Sequence, residues 1–328
     1  MIPWHTLISM MNPSPQFDTD GNLIRSSDPD RIRLELLSSL SQHTGRNVLT
    51  YYSGHLFSNQ YNVAMDQYDT PGIINAVDNL DPSVGLDLIL HTPGGSVTFA
   101  EGLVKYLHQV FQDIRVIIPQ EAFSAGTIVA LASKEILMGP MACIGPIDCQ
   151  IIIEGFPMSS FNLYTEIKAA QKAIGEDPSK SNYWSIQLGK YPPGMFNFVM
   201  DSIQLSGELA EVFLSKYMFS NDSGSQGKIR KIVATLNSTQ RAHGRHFDYE
   251  DCKQMGLKVH KLRDDPELEK LVMALHHVYS YTMQTLGCVK TIENQKGRSW
   301  YLFQNMGSPK PVEKSDVVKS DVDTQSIS

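Results

Sequence analysis

The feature that most constrains this chain is a repeated alternation between residues 86 and 138. "LDLILHT" (86–92) is a nearly continuous apolar run, the pattern of a strand covered on both faces. "PGG" follows. "SVTFAEGLVKYLHQVFQD" (96–113) then repeats apolar residues at Val97, Ala100, Leu103, Val104, Leu107, Val110 and Phe111, which is helical spacing. "IRVIIP" (114–119) is a second buried strand, "SAGTIVALASK" a buried helix, and "EILMGP" (135–140) and "ACIGPI" (142–147) are short strands or turns. Strand, helix, strand, helix, strand at this rhythm requires a parallel sheet with right-handed crossovers. The fold class is therefore α/β.

Outside this stretch the signals are simpler. "SSDPDRIRLELLSSLSQHTG" reads as a helix capped by Ser27 or Asp28 and closed by Gly45. "NVLTYYS" (47–53) is rich in β-formers, and "TPGIINAVDNLD" (70–81) is a short helix with Pro71 in its first turn. Beyond residue 150 the pattern becomes mostly helical, over 160–177, 193–219, 227–239 and 265–286. The tail 307–328 lacks aromatics and alternates charge with serine, so it is expected to be disordered.

Charge and cysteine use narrow the function. With a net charge of −7 and 19% charged residues, the chain is no general nucleic-acid binder. Four cysteines, at 143, 149, 252 and 288, form no CxxC pair. Reduced thiols in a cytoplasmic protein are the expectation. The opening "MIPWHTLISMMNPSPQF" lacks the basic segment of a secretion signal. The best candidate for a membrane span, 122–147, carries Lys134-Glu135 in its middle. No integral membrane segment is expected.

Two segments carry candidate chemistry. In "LILHTPGGS" a strand turns through Pro93-Gly94-Gly95 into a helix. Glycines there let backbone N–H groups face an anion or a forming oxyanion. In "PQEAFSAGT" a second strand ends and a helix begins near Ser124. Ser124 reads either as a helix cap or as a nucleophile. In the second case the N–H of Ala125 joins that of Gly95, and Gly94, Ala125 and Gly126 are small enough to admit a substrate backbone. Both units end at one edge of a parallel sheet, where ligands bind in such folds.

"LILHTPGG" followed by "AFSAGTIVALASKEILMGPMACIGPIDCQ" closely resembles the Clp/crotonase-fold serine peptidases, nearest the serine dehydrogenase proteinase branch related to signal peptide peptidase A. The resemblance is firm over 84–155 and looser over 45–265. "HGRHFDYEDCKQMGLKV" (243–259) is similar to the family's late segment, in which a helix leads through Gly256-Leu257 to a last strand. It implies a Clp/crotonase-like parallel sheet with crossover helices and a helical C-terminal part. It further implies peptide hydrolysis through an acyl-enzyme on Ser124, with Gly95 and Ala125 supplying the oxyanion hole, no metal or organic cofactor, and a homo-oligomer acting on peptide or protein substrates.

The resemblance leaves the base open. Where Clp peptidases place a histidine this chain has Cys149. Signal peptide peptidase A and its relatives use a lysine. Counting forward leads to Thr165, with Lys168 the nearest lysine and Lys172 one turn further. A neutral, buried lysine accepts a serine proton; a solvent-facing helix lysine does not. "GPIDCQ" departs from the branch's "GPxDPQ" at Cys149, and Asp148 stands at the aspartate, where it either orients a base or holds the loop. His91 reads as a buried, hydrogen-bonded histidine or as a base. Arg241, His243, Arg245 and His246 read as a surface cluster rather than a metal or anion site, and the Met and aromatic residues of 195–219 as core or subunit contact.

The resulting division is an N-terminal loop and helix (1–45), a Clp/crotonase-like catalytic domain (46–265), a C-terminal helical extension (266–306) and the tail (307–328). A crotonase-type acyl-CoA enzyme and a non-catalytic scaffold of the same fold are the rival readings.

Overall fold

The computed structural model describes residues 29–57, 61–147, 150–153, 156–237 and 246–303, together with 6, 9, 11, 16–17 and 23–24. Asp148, Cys149, Arg241, His243, Arg245 and the tail lie outside the described residues.

The strands expected from apolar runs form one main sheet, apart from the short Glu121–Ala122, which pairs with Cys143–Ile144. They are β1 (Asn47–Ser53), β2 (Leu86–His91), β3 (Ile114–Ile118), β4 (Glu121–Ala122) and β5 (Ile136–Met138). Short strands β6 (Cys143–Ile144), β7 (Gln150–Ile153) and β8 (Phe156–Ser159) follow, then β9 (Val259–Lys261), β10 (Cys288–Asn294) and β11 (Ser299–Phe303). Seven of them share a sheet in the order β9-β5-β3-β2-β1-β10-β11. The five from β9 to β1 are parallel, and β10 and β11 are antiparallel additions at one side. The parallel crossovers are carried by α2 (Thr70–Val77), α3 (Val97–Val110) and α4 (Ala125–Leu131).

Both faces of the sheet are covered, which is why its central strands are buried along their length and largely apolar rather than apolar only at alternate positions. Leu49, Tyr51, Leu88, Leu90, Val116 and Ile118 face α3 and α4. Val48, Tyr52, Ile89, Ile117 and Leu137 face the opposite way, against Leu37 and Leu40 of α1 (Pro29–Thr44) and the apolar stripe of a later helix, Pro266–Leu286. The N-terminal helix is thus a cover of the main sheet.

The C-terminal region differs from a purely helical extension. After the helix Pro266–Leu286, residues 288–303 turn back as the β10–β11 hairpin and join the sheet beside β1. The sequence "CVKTIEN" disguised this strand because Lys290, Glu293 and Asn294 break its apolar run. All three are buried and paired. Lys290 Nζ donates to Ala64 O at 2.9 Å and to Asp69 Oδ1 at 2.5 Å. Glu293 accepts from Arg33 Nε at 2.8 Å, Tyr279 OH at 2.7 Å and Tyr301 OH at 2.6 Å. Buried charge is tolerated only with such partners.

The helical segments expected at 160–177 and 193–219 are α5 (Ser160–Glu176) and α7 (Met195–Phe213), the latter running into a π-helical turn at Leu214–Met218, and an unexpected helix, α6 (Ser181–Leu188), lies between them. α8 (Gln226–Asn237), α9 (Tyr249–Met255) and α10 (Pro266–Leu286) complete the set. α5 and the start of α7 form a small cluster of their own around Leu163 and Val199. The end of α7 returns to the main core through Leu209, Ala210 and Phe213. No described helix is long and apolar enough to cross a membrane.

Candidate active site

The two strand–turn–helix units meet at the carboxyl end of β2. Thr92, just past that strand, pairs with the β4 segment: Thr92 N–H donates to Glu121 O and Phe123 N–H to Thr92 O, each at 3.1 Å. This pairing sets the Pro93-Gly94-Gly95 turn beside Ser124. A Cβ on Gly94 would stand 2.5 Å from Phe123 O and 2.8 Å from Ser124 Cβ. Only glycine allows that approach, and Gly94 also has φ +97°. Gly95 is equally constrained, with φ +149° and the space for a Cβ taken by Met65 O at 2.3 Å.

Met65 clamps the glycine turn. Its N–H donates to Gly94 O and its carbonyl accepts from Ser96 N–H, both at 2.8 Å. Gly94 N–H is engaged by Thr92 Oγ1 at 3.1 Å. Gly126 N–H is engaged by Phe123 O at 2.8 Å. Among the described residues no acceptor is found for the N–H groups of Gly95 or Ala125. The N–H groups of Gly94, Ser96 and Gly126 beside them are engaged, while that of Ser124 likewise finds no acceptor among the described residues.

Ser124 sits between them in an unusual conformation. At φ 50° and ψ −113° it is the one non-glycine residue with positive φ among the described residues. Such a backbone costs about 1–3 kcal/mol and persists only where the surroundings enforce it. The helix-cap alternative required a bond from its hydroxyl to the first turn of α4, and no such bond is made. The turn is held instead by Thr127, whose Oγ1 lies 2.9 Å from Ala122 O and 3.0 Å from Gly145 O and accepts Gly145 N–H at 3.2 Å. Ser124 is half-buried, Ala125 and Gly126 are buried, and Gly95 is exposed. A Cβ on Gly126 would meet Thr92 Cγ2 at 2.4 Å, so its smallness serves packing against the glycine-turn unit.

The structure does not bring the lysines to this turn. Lys168 is exposed on α5, its Nζ 5.5 Å from the Tyr164 ring centroid. Lys172 is also exposed and pairs with Glu176 at 3.9 Å. No described contact links either to Ser124 in the single chain. His91 points to the sheet face opposite α4. It is buried, its Nδ1 lies 3.0 Å from Ser53 O, and its ring stacks on Tyr52. Burial, with His55 and His276 nearby, pushes its pKa well below the ordinary imidazole range.

Two neighbours of the turn were not placed there by sequence reasoning. Met65 reads as an ordinary apolar residue in a loop, and only tertiary pairing reveals its clamp. His246, assigned to a surface cluster, lays its exposed ring 4.2 Å from the ring of Phe123, the residue preceding Ser124. Of the cysteines, Cys143, Cys252 and Cys288 are free thiols. Burial pushes Cys143 up to about 11 and Cys288 up to about 12, which leaves both protonated and unreactive.

Comparison with known proteins finds the following similarities. Residues 53–177 match the family model described as ClpP-like SDH-type serine proteinase. Two uncharacterized proteins of Methanocaldococcus jannaschii are similar to the chain. One is 25% identical over 262 residues, covering 79% of this chain and 82% of the relative. The other is 39% identical over 191 residues, covering 58% and 57%. Among solved structures, the ClpP protease catalytic domain from Plasmodium falciparum covers 53% of this chain and 66% of its own length, at 14% identity and a TM-score of 0.27. A mutant of the 1510-N membrane-bound stomatin-specific protease covers 68% and 80%, at 17% identity and a TM-score of 0.32. The resemblance carried by "LILHTPGG" and "AFSAGTIVALASK" thus falls within a longer stretch, residues 53–177, that is similar to the ClpP-like SDH-type serine proteinases.

Proposed function

We propose that the protein is a serine peptidase with Ser124 as its nucleophile. Ser124 Oγ attacks the peptide carbonyl while a base takes its proton. The carbonyl oxygen becomes an oxyanion between the N–H groups of Gly95 and Ala125. Collapse expels the amine, which takes up the proton, and water then hydrolyses the acyl-enzyme by the same route. Gly94 and Gly126, both buried, act by letting the two turns pack closely against each other rather than by touching substrate. The observation that carries this reading is the open pair of N–H groups flanking a strained serine whose hydroxyl caps nothing.

A fluorophosphonate probe followed by peptide mass spectrometry tests it. The expected adduct is on Ser124, abolished in Ser124→Ala. Absence of labelling together with coenzyme A retained through purification favours the acyl-CoA enzyme. Absence of both favours the scaffold.

Lys168 is the base proposed from the family pattern, with Asp148 orienting it or holding its loop. The placement of His246 over Phe123 favours a second reading, in which that imidazole takes the proton. We further propose a homo-oligomer acting on peptide or protein substrates in the cytoplasm. α6 and α7 present Ile186, Phe198, Met200 and Val212, each about half exposed, as surface for a second copy. Light scattering that returns a monomer at micromolar concentration removes this part.

A further inference from the structure

On the sheet face opposite Ser124, the ends of three chain segments converge. His55 lies in the turn after β1, His91 ends β2, and Glu121 opens β4. One ligand-type atom from each lies within 4.8 Å of the others. We propose that His55, His91 and Glu121 form a binding site for a divalent transition-metal ion of the Zn²⁺ class.

The strongest observation is His91. Its Nδ1 lies 3.0 Å from Ser53 O. A carbonyl only accepts, so Nδ1 carries the proton and donates. The lone pair is therefore on Nε2, which is buried and makes no hydrogen bond of ordinary geometry among the described residues, although the Gln120 side chain lies close to the ring. A buried imidazole lone pair without a donor is costly. A metal ion satisfies it, and a ligating histidine characteristically gives its other N–H to a carbonyl in this way. Stacking on Tyr52 at 4.4 Å between ring centroids fixes the ring's orientation.

The partners complete a suitable donor set. The His55 ring centroid is 4.9 Å from that of His91, and its Nε2 contacts Glu121 Oε1 directly. His55 Nδ1 is a second buried nitrogen without a partner. Two neutral imidazoles and one carboxylate suit Zn²⁺, with water as fourth ligand. An ion entering the site exchanges the direct His55–Glu121 contact for a bond from each to the metal. The side chains of His55 and Glu121 are 9% and 11% exposed, which gives a narrow way in from solvent.

The consequence is mechanical. Glu121 O is bonded to Thr92 N–H, and Ser124 lies three residues further on. A bound ion ties β1, β2 and the nucleophile segment together from behind. The site stands independently of the peptidase reading, and its test needs no activity.

Chelator-stripped full-length protein is titrated with Co²⁺, read by its visible absorption, and with Zn²⁺, read by calorimetry. One equivalent should bind, with the intense visible bands of a low-symmetry Co²⁺ site, and the thermal midpoint should rise. Affinity should fall by at least about tenfold, the lower end of what disturbing a ligand's supporting bonds costs, in His55→Ala and in Glu121→Gln. His260→Ala, at an exposed imidazole beside Glu135, should leave binding unchanged. His91→Gln removes the central ligand but is wholly buried, so the two peripheral variants, checked for fold by circular dichroism, decide. Substoichiometric binding by the unmodified protein, or binding that survives both His55→Ala and Glu121→Gln, overturns the site.

Discussion

Two polar regions of this molecule obey opposite rules. In the network beneath the C-terminal hairpin every charge is answered. Arg33, wholly buried, donates to Glu293, Thr282 and Tyr301. Lys290 is held between Asp69 and Ala64 O, and Tyr51 OH donates to the other Asp69 oxygen at 2.6 Å. At the Ser124 turn, the N–H groups of Gly95 and Ala125 are open and the backbone is strained. The first region has its interactions completed within the chain. The second leaves its interactions for something outside the chain. The contrast teaches where to look for function: at groups left unsatisfied by a fold that satisfies buried charge elsewhere.

The largest expected effect separates the two regions. Ser124→Ala should lower hydrolysis on the order of 10⁴–10⁶-fold, as loss of a nucleophile does. The thermal midpoint should barely move, because the hydroxyl makes no capping bond. Steady-state rates with a peptide substrate and a thermal melt measure both. Retained activity, or a large fall in midpoint with it, erases the distinction between the regions. Next in size is the base. Its removal should cost about 10²–10⁴-fold in rate. Lys168→Ala and His246→Ala, assayed side by side, identify which side chain is responsible. If Lys168 acts, an assembly or a substrate-bound state must draw α5 toward the turn, because the isolated chain leaves that ammonium exposed. If neither variant loses activity, Lys172, Asp148 and His91 are next.

The network should respond in the opposite currency. Lys290→Met strands Asp69 as a buried carboxylate with Tyr51 and backbone N–H as its remaining partners. The cost should be about 3–5 kcal/mol of stability, read as a lower denaturation midpoint in urea. Fluorophosphonate labelling of the fraction still folded should persist. One route for damage to spread exists, because the loop anchored by Asp69 also carries Met65, the clamp on Gly94 and Gly95. Adding Asp69→Asn to Lys290→Met should restore part of the lost stability, since the stranded charge is gone.

The same contrast explains what the sequence made legible. Strands covered on both faces are apolar throughout, so 86–138 could be read as alternating units, and the motif around Ser124 could be matched to a family. The β10 strand could not be read so, because Lys290, Glu293 and Asn294 look like a polar segment until their partners, distant in sequence, are known. Residues 266–306 were therefore expected to be helical. Ser124 was legible as a special residue, but its conformation was not. A serine at a helix start ordinarily caps, and only the backbone angle and the missing bond remove that reading. The base was least legible of all. Spacing along α5 proposes Lys168, while the imidazole beside Phe123 comes from more than a hundred residues further along the chain. Such proximity is a property of packing, with no local trace in the residues.

The smallest expected effect isolates the strain itself. Ser124→Ala keeps a Cβ and so keeps the unfavourable φ of 50°. Ser124→Gly removes the Cβ, and glycine adopts positive φ freely. Relief should return about 1–3 kcal/mol. Against it stands the greater freedom of glycine in the unfolded chain, about 0.5–1 kcal/mol. The glycine variant should therefore be more stable than the alanine variant by about 1 kcal/mol. Both lack the nucleophile, so any difference in their urea midpoints reports backbone alone. A glycine variant that is less stable than the alanine variant shows that the turn stores no strain. The Ser124 conformation would then be an ordinary consequence of packing, and the contrast with the saturated network would rest on the two open N–H groups.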